Sequence, residues 1–182
     1  TGNAYNSLAG RLIVLNNSGL VSALSIFGNA INWLNARDIV IANAAKLSAR
    51  SIDGSAINSL KAKNNITVYN NAEVNARSTT GSATNSLNAR NINITNAGKL
   101  NARSDSGAAR NNLTAKNNIY VSNAGQINAR SLSGSATNNL SSRNITVYNA
   151  GELNARSDSG TATNNLSATR TINITAGGEV NA

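Results

Sequence analysis

The feature that most constrains the fold of this chain is an internal repeat of about 26–27 residues, a period typical of solenoids and propellers. A glycine recurs along the chain at nearly fixed intervals, at Gly2, Gly28, Gly54, Gly81, Gly107, Gly134 and Gly160. The apolar residue before a small residue and an alanine follows the same spacing, at Leu47, Val74, Leu100, Ile127, Leu153 and Val180. The chain is therefore predicted to be an array of about seven equivalent units.

The pattern inside one unit predicts strands. From Ile145 to Ser157, apolar or small residues occupy every second position, which is the period of a strand and not of a helix. The alternation slips at 158–159 and again at 169–171, and we interpret both slips as turns. The unit before has one residue fewer at the second slip, which explains why the interval alternates between two lengths. Each unit is predicted to contain three short strands.

A strand of about five residues cannot bury its apolar face alone, so successive units must stack as parallel, in-register coils about 4.8 Å apart. The prediction is an all-β, right-handed parallel β-solenoid, the hand following the usual crossover preference. Composition rich in Asn, Ser, Thr and Gly argues against helical repeats. We expect residues 1–182 to form a single repeat array. Because the chain begins and ends at nearly the same phase without a polar cap, we expect a fragment of a longer rod or a unit that stacks end to end.

Composition also bears on chemistry. The chain has no cysteine and no histidine, so disulfides, thiolate metal sites and the usual general base are absent. Of its seven acidic residues, Asp53, Asp105 and Asp158 fall in turns of non-adjacent coils, where they form no close carboxylate pair. We therefore expect no enzyme activity and no cofactor. No run of about 18 apolar residues predicts a membrane span.

Two columns of asparagine are predicted to point inward and to hydrogen-bond from coil to coil, as amide ladders do in cross-β structures. One column contains Asn6, Asn32, Asn58, Asn85, Asn111, Asn138 and Asn164. The other contains Asn17, Asn43, Asn70, Asn96, Asn123 and Asn149. We assign both a structural role. The glycine column is interpreted as a set of turns that use positive φ.

Two columns of cations account for the net charge of +9. One contains Arg11, Arg37, Lys63, Arg90, Lys116, Arg143 and Arg170. The other contains Arg50, Arg77, Arg103, Arg130 and Arg156. One interpretation is that they cover the corners and discourage edge-to-edge aggregation. The other is that they bind a linear polyanion, such as a sulfated glycan or a nucleic acid.

Two further columns carry predictions. At the position before the apolar anchor, Lys46, Glu73 and Lys99 alternate in sign, which favours in-register pairing. Outward apolar residues concentrate in the first two coils and the start of the third, where we expect a neighbouring domain, a cap or a binding partner to cover them. These residues are Val14, Leu20, Leu24, Phe27, Ile31, Trp33, Val40 and Ile57.

The repeated motif also resembles a known family. The segments NAGKLNAR, from Asn96 to Arg103, and NAGELNAR, from Asn149 to Arg156, are similar to the repeat region of filamentous-haemagglutinin-type exoproteins. Gram-negative bacteria export these β-helical proteins by two-partner secretion. The resemblance implies a secreted or cell-surface rod for adhesion, biofilm formation or contact-dependent delivery, with flanking domains in a longer chain.

The sequence thus favours the rigid stalk of a bacterial surface adhesin or fibre. Two alternatives remain open. The cation columns favour a module that binds host or matrix glycans or other polyanions. The matching ends favour a self-polymerising extracellular filament, whose partner is a second copy of the same chain.

Overall fold

The computed structural model describes residues 2–182, all but the first residue of the predicted array, as two parallel seven-stranded sheets that alternate along the chain. The longer strands form sheet 1: β1 (Ala4–Leu15), β3 (Ala30–Ala42), β5 (Ala56–Tyr69), β7 (Ala83–Thr95), β9 (Ala109–Ser122), β11 (Ala136–Tyr148) and β13 (Ala162–Thr175). The shorter strands form sheet 2: β2 (Leu20–Phe27), β4 (Lys46–Asp53), β6 (Glu73–Ser78), β8 (Lys99–Ser104), β10 (Gln126–Ser131), β12 (Glu152–Ser157) and β14 (Glu179–Asn181).

The predicted β-solenoid is confirmed. Each long strand pairs with the next long strand and each short strand with the next short strand, so that one coil contributes one strand to each sheet. Equivalent residues lie directly above one another: Leu47 pairs with Val74, and Val74 pairs with Leu100. The side chains of these three residues are fully buried. In-register stacking therefore places like residues in continuous columns, and the leucine, isoleucine and valine columns form the core.

The prediction of three short strands per coil is wrong, because the structure has two strands per coil. The segment from Ile145 to Ser157 was predicted to be a single strand. In the structure, a turn between Tyr148 and Glu152 divides it into the end of β11 and the whole of β12. Conversely, the second slip of the alternation lies inside a long strand and does not interrupt it. The slip is a register irregularity of the β-bulge kind, which reverses the facing of side chains while the chain stays in the sheet.

The long strand must bend at this irregularity. From Ala83 to Thr95 an extended strand spans about 40 Å, whereas the short strand β8 spans only about 17 Å at ~3.3 Å per residue. Turns join the two strands into one closed coil, so a straight long strand does not fit. In β3, β5, β7, β9 and β11, both halves of the strand also contribute side chains to the same core. The coil therefore has three sides, although only two of them are separate strands.

The bend is also where coil length varies, as predicted. Between β3 and β5, Ala36 pairs with Ala62, whereas Asp38 pairs with Asn65, so the sequence separation of paired residues grows by one residue across the bend. Between β5 and β7 the separation shrinks by one residue at the same place, from the pair Lys61 and Asn88 to the pair Asn65 and Asn91. The extra residue of the longer coils is thus absorbed at the bend, and both flanking segments remain in register.

The turn that sequence reasoning missed is a tight two-residue turn with two left-handed residues. In one coil, Asn96 has φ of 49° and Ala97 has φ of 58°, and the amide of Gly98 donates to the carbonyl of Thr95 at 2.9 Å. Positive φ at both central positions defines the type I′ geometry, in which asparagine is favoured. The asparagine of the NAG motif is therefore a turn residue.

The glycine column has a different cause from the predicted one. Among its described members, positive φ occurs at Gly2, Gly28 and Gly54 only. At Gly107 the constraint is proximity: a Cβ atom there would collide with the carbonyl oxygen of Gly81 in the preceding coil. Close stacking of backbones from coil to coil excludes a side chain at this position.

Candidate functional site

The inner asparagine column forms a buried amide ladder that links the two sheets. Asn58 donates to the side-chain oxygen of Asn85 at 2.9 Å and to the backbone carbonyl of Asn75 at 2.8 Å. Its own side-chain oxygen accepts from Asn32 at 2.9 Å. The same pattern runs from Asn6 to Asn164. Each buried amide thus bonds to the next coil and, across the core, to the opposite sheet, which is how buried polar groups avoid a desolvation penalty.

The second asparagine column does not point inward as predicted. Its members lie at the type I′ turns, and all are exposed except Asn70, which is half-buried. They still bond from coil to coil, for example from Asn70 to Asn43 at 2.9 Å and from Asn123 to Asn96 at 3.1 Å. Their geometry serves the turn, where asparagine tolerates positive φ.

Sequence analysis also missed two amide ladders that begin at a carboxylate. On sheet 1, the ladder formed by Asn65, Asn91, Asn118 and Asn144 starts at Asp38, which accepts from the Asn65 side chain at 2.9 Å. On sheet 2, the ladder formed by Asn75, Asn101, Asn128, Asn154 and Asn181 starts at Glu73, at 3.0 Å from the Asn75 amide. The asparagines of both ladders recur in the sequence at the period of the coil, and this spacing could have revealed them.

The first cation column lies on the outside of the bend of sheet 1, and we call it the corner row. All seven members are exposed: Arg11, Arg37, Lys63, Arg90, Lys116, Arg143 and Arg170. Within residues 2–182, the ion pairs are Lys46 with Glu73, Arg103 with Asp105 and Arg156 with Asp158. No member of the corner row takes part in them, so its charges face solvent.

The second cation column lies on the outer surface of sheet 2, and we call it the sheet row. Its five members stack in register: Arg50, Arg77, Arg103, Arg130 and Arg156. Arg103 lies 3.5 Å from the carboxylate of Asp105, and Arg156 lies 3.3 Å from that of Asp158. The asparagine ladder of sheet 2 runs beside the row, and a shallow groove separates the two columns. The structure therefore places the two cation rows on different sheets, as separate surfaces.

The acidic side chains serve structural contacts. Glu73 lies 3.5 Å from the ammonium of Lys46, which confirms the cross-coil pairing that alternating signs predicted for these two residues. Asp105 and Asp158 pair with arginines of the sheet row, and Asp53 accepts a hydrogen bond from the Thr80 hydroxyl at 3.0 Å. Across residues 2–182, no three histidine, cysteine, aspartate or glutamate side chains group in a way that could hold a metal ion.

Apolar side chains are exposed mainly at the N-terminal end of the solenoid. Leu12, Leu20 and Leu24 are exposed over more than half of their surface, whereas Trp33 and Ile31 in the next coil are half-buried. The exposed set also includes Val14, Ile26, Phe27 and Ile52. Farther along, the outer positions are largely polar. The described part of the chain has no helix, and hence none that could cross a bilayer.

Comparison with known proteins adds no family assignment: no family model, no curated protein and no solved structure matches this chain.

Proposed function

We propose that this chain is a rigid rod, serving as a stalk or fibre segment of a secreted or cell-surface bacterial adhesin. The observation that supports the proposal most strongly is the buried amide ladder from Asn6 to Asn164, which runs through every coil and joins both sheets. Backbone pairing alone holds neighbouring strands together. The ladder adds side-chain hydrogen bonds along the rod and across it at each step, and so resists both shear between coils and separation of the sheets.

The rod is thin and its length depends on coil number. Each coil contacts its neighbours through in-register strands, so adding or removing whole coils changes length without creating a new kind of interface. Seven coils correspond to roughly 34 Å at the ladder spacing. Such a module separates two parts of a protein by a fixed distance, which is what a stalk requires.

Deleting two whole coils tests the rod. Removal of residues 83–135, which joins Ser82 to Ala136, deletes one short and one long coil while Ala136 takes the structural position of Ala83. We expect the maximum dimension from small-angle X-ray scattering to fall by about 10 Å, with the strand content per residue unchanged.

A matched control deletes a non-integral number of coils. Removing residues 83–122 ends within a coil, so the remaining strands no longer stack in register, and we expect loss of cooperative unfolding. If both deletions behaved alike, or if the two-coil deletion unfolded, the rod proposal would be wrong. Surface location is tested separately, by labelling intact producing cells with an antibody against the folded chain.

A further inference from the structure

The corner row is a continuous line of unpaired cations that the rod function does not require. It has one member in each coil, and all seven are exposed and without an acidic partner among the described residues. Adjacent coils are about 4.8 Å apart, so the charges of neighbouring members repel one another. This repulsion opposes the stacking of coils, so the row needs a separate explanation.

The cation is retained although the local chain length changes. In short coils a single residue, such as Arg90, separates the buried Ala89 from Asn91. In long coils two residues do so, and the first is a cation in Lys63-Asn64 and Lys116-Asn117. In the last coil the cation takes the second place, at Arg170. A positive charge thus stands at the bend in every coil, whichever residue supplies it.

Protection of sheet edges does not account for the row. Charged residues discourage aggregation where a strand has an unpaired edge. Lys63, Arg90 and Lys116 lie on β5, β7 and β9, each of which is paired on both sides by neighbouring coils. Cations in the middle of a continuous sheet have no free edge to protect.

The sheet row is a weaker candidate for binding an anion. The column four residues earlier on the same strands is mixed in sign, with Lys46 and Lys99 as well as Glu73 and Glu152. Two of the five arginines of the sheet row pair with Asp105 and Asp158. These carboxylates lower the positive potential over sheet 2. The corner row has one acidic neighbour, Asp38, whose carboxylate accepts hydrogen bonds from Asn64 and Asn65.

The side chains beside the corner row indicate what kind of polyanion fits. Just before the cations, an aligned column on the outer face of sheet 1 contains Asn35, Lys61, Asn88, Thr114, Ser141 and Ser167. Amide and hydroxyl groups bond to sugar hydroxyls, whereas single-stranded nucleic acids are bound on aromatic side chains that stack on the bases. None of these six residues is aromatic. The surface therefore favours a polysaccharide over a nucleic acid.

We propose that the corner row and its neighbouring polar column bind an extended acidic polysaccharide lying parallel to the solenoid axis. Each sugar residue lengthens an extended glycan by nearly the distance between adjacent coils of the solenoid. A glycan with an acidic group on each sugar thus presents one anion to each cation of the row. This binding activity goes beyond the rod function and does not depend on where the rod is located.

Two glutamine variants of equal net charge test the proposal. The corner variant carries Arg37→Gln, Lys63→Gln, Arg90→Gln, Lys116→Gln and Arg143→Gln. The sheet variant carries Arg50→Gln, Arg77→Gln, Arg103→Gln, Arg130→Gln and Arg156→Gln. Each lowers the net charge from +9 to +4, the loss of five cations. Circular dichroism checks that both variants keep the β-solenoid.

Binding is measured by calorimetry against chondroitin sulfate, which carries an acidic group on every sugar. We expect the corner variant to lose about tenfold or more in affinity and the sheet variant to lose less than about threefold. The slope of log affinity against log salt is expected to become shallower only for the corner variant, because fewer counterions are released.

Four ligands and the two variants together decide the outcome. Hyaluronan, which is acidic on alternate sugars only, is expected to bind more weakly than chondroitin sulfate, and neutral dextran is expected not to bind. Equal losses in the two variants would show attraction by net charge alone and overturn the proposal, as would no binding by the unmodified chain. Tighter binding of oligothymidylate than of chondroitin sulfate would overturn the choice of a polysaccharide.

Discussion

Removing one amide from the middle of the buried ladder should destabilise the solenoid strongly. Asn85 accepts from Asn58 and donates to Asn111 and to the backbone carbonyl of Asn101, each at 2.9 Å. The substitution Asn85→Ala removes one hydrogen bond from each of those three partners inside the core. An orphaned buried polar group costs about 1–3 kcal/mol, and part of that cost is relieved by rearrangement, so we expect a loss of roughly 3–6 kcal/mol.

The matched control is an asparagine of the exposed turn ladder. Asn96 has φ of 49°, and Asn96→Gly keeps that backbone geometry while it removes a side chain whose bonds are open to water. We expect the control to change the free energy of unfolding by less than about 1 kcal/mol.

The assay is urea unfolding followed by circular dichroism, with hydrogen exchange measured by mass spectrometry to localise the effect. Exchange is needed because stacked coils can unfold in parts. For Asn85→Ala, faster exchange is expected first in β7 and β9, which carry Asn85 and Asn111. A loss below about 1 kcal/mol, or one equal to that of Asn96→Gly, would refute the claim that the amide ladder holds the two sheets together.

Three other predictions concern close stacking, ladder ends and charge. Gly107→Ala should lower the unfolding midpoint markedly, because its Cβ would collide with the Gly81 carbonyl oxygen, whereas Gly10→Ala, whose nearest contact is 3.8 Å, should not. Asp38→Asn should cost about 1 kcal/mol in urea unfolding, because the Asn65 amide then donates to a neutral oxygen instead of a charged one; no change would show that the charge at the ladder end is unimportant. The corner variant should have a higher thermal midpoint than the unmodified chain at low salt and lose this advantage at high salt, since repulsion between neighbouring charges is at most about 1 kcal/mol in water and is screened by ions. A lower midpoint at low salt would show that the row stabilises the fold.

The sequence was sufficient for features that repeat with the coil. The nearly constant spacing of Leu47, Val74 and Leu100 predicted parallel stacking in register, and these residues are paired and buried as expected. The variation of coil length by one residue was likewise assigned to the position where the register shifts. These features are readable because each coil repeats the same environment, so one pattern is observed about seven times.

The positions of turns could not be predicted from alternation. The turn at Asn149 and Ala150 contains two residues, an even number, so the alternation of inward residues continues through it from Val147 to Leu153. The bend at Arg143 reverses the alternation, yet the chain remains within one strand. A change of phase and a change of direction are separate events in a strand, and only the first is visible in a sequence.

The period, the coil number, the core columns and the two cation columns follow from the amino-acid sequence alone, because each of these depends on spacing along the chain. The folded structure was needed to show which asparagine column is buried and which cations have acidic partners. It also showed that Gly107 is constrained by a neighbouring backbone. These properties depend on contacts across the core and between coils, where Asn85 meets Asn101 of the opposite sheet and Lys46 meets Glu73 of the next coil. A pattern of spacing records that residues recur, and the folded chain sets what each one contacts.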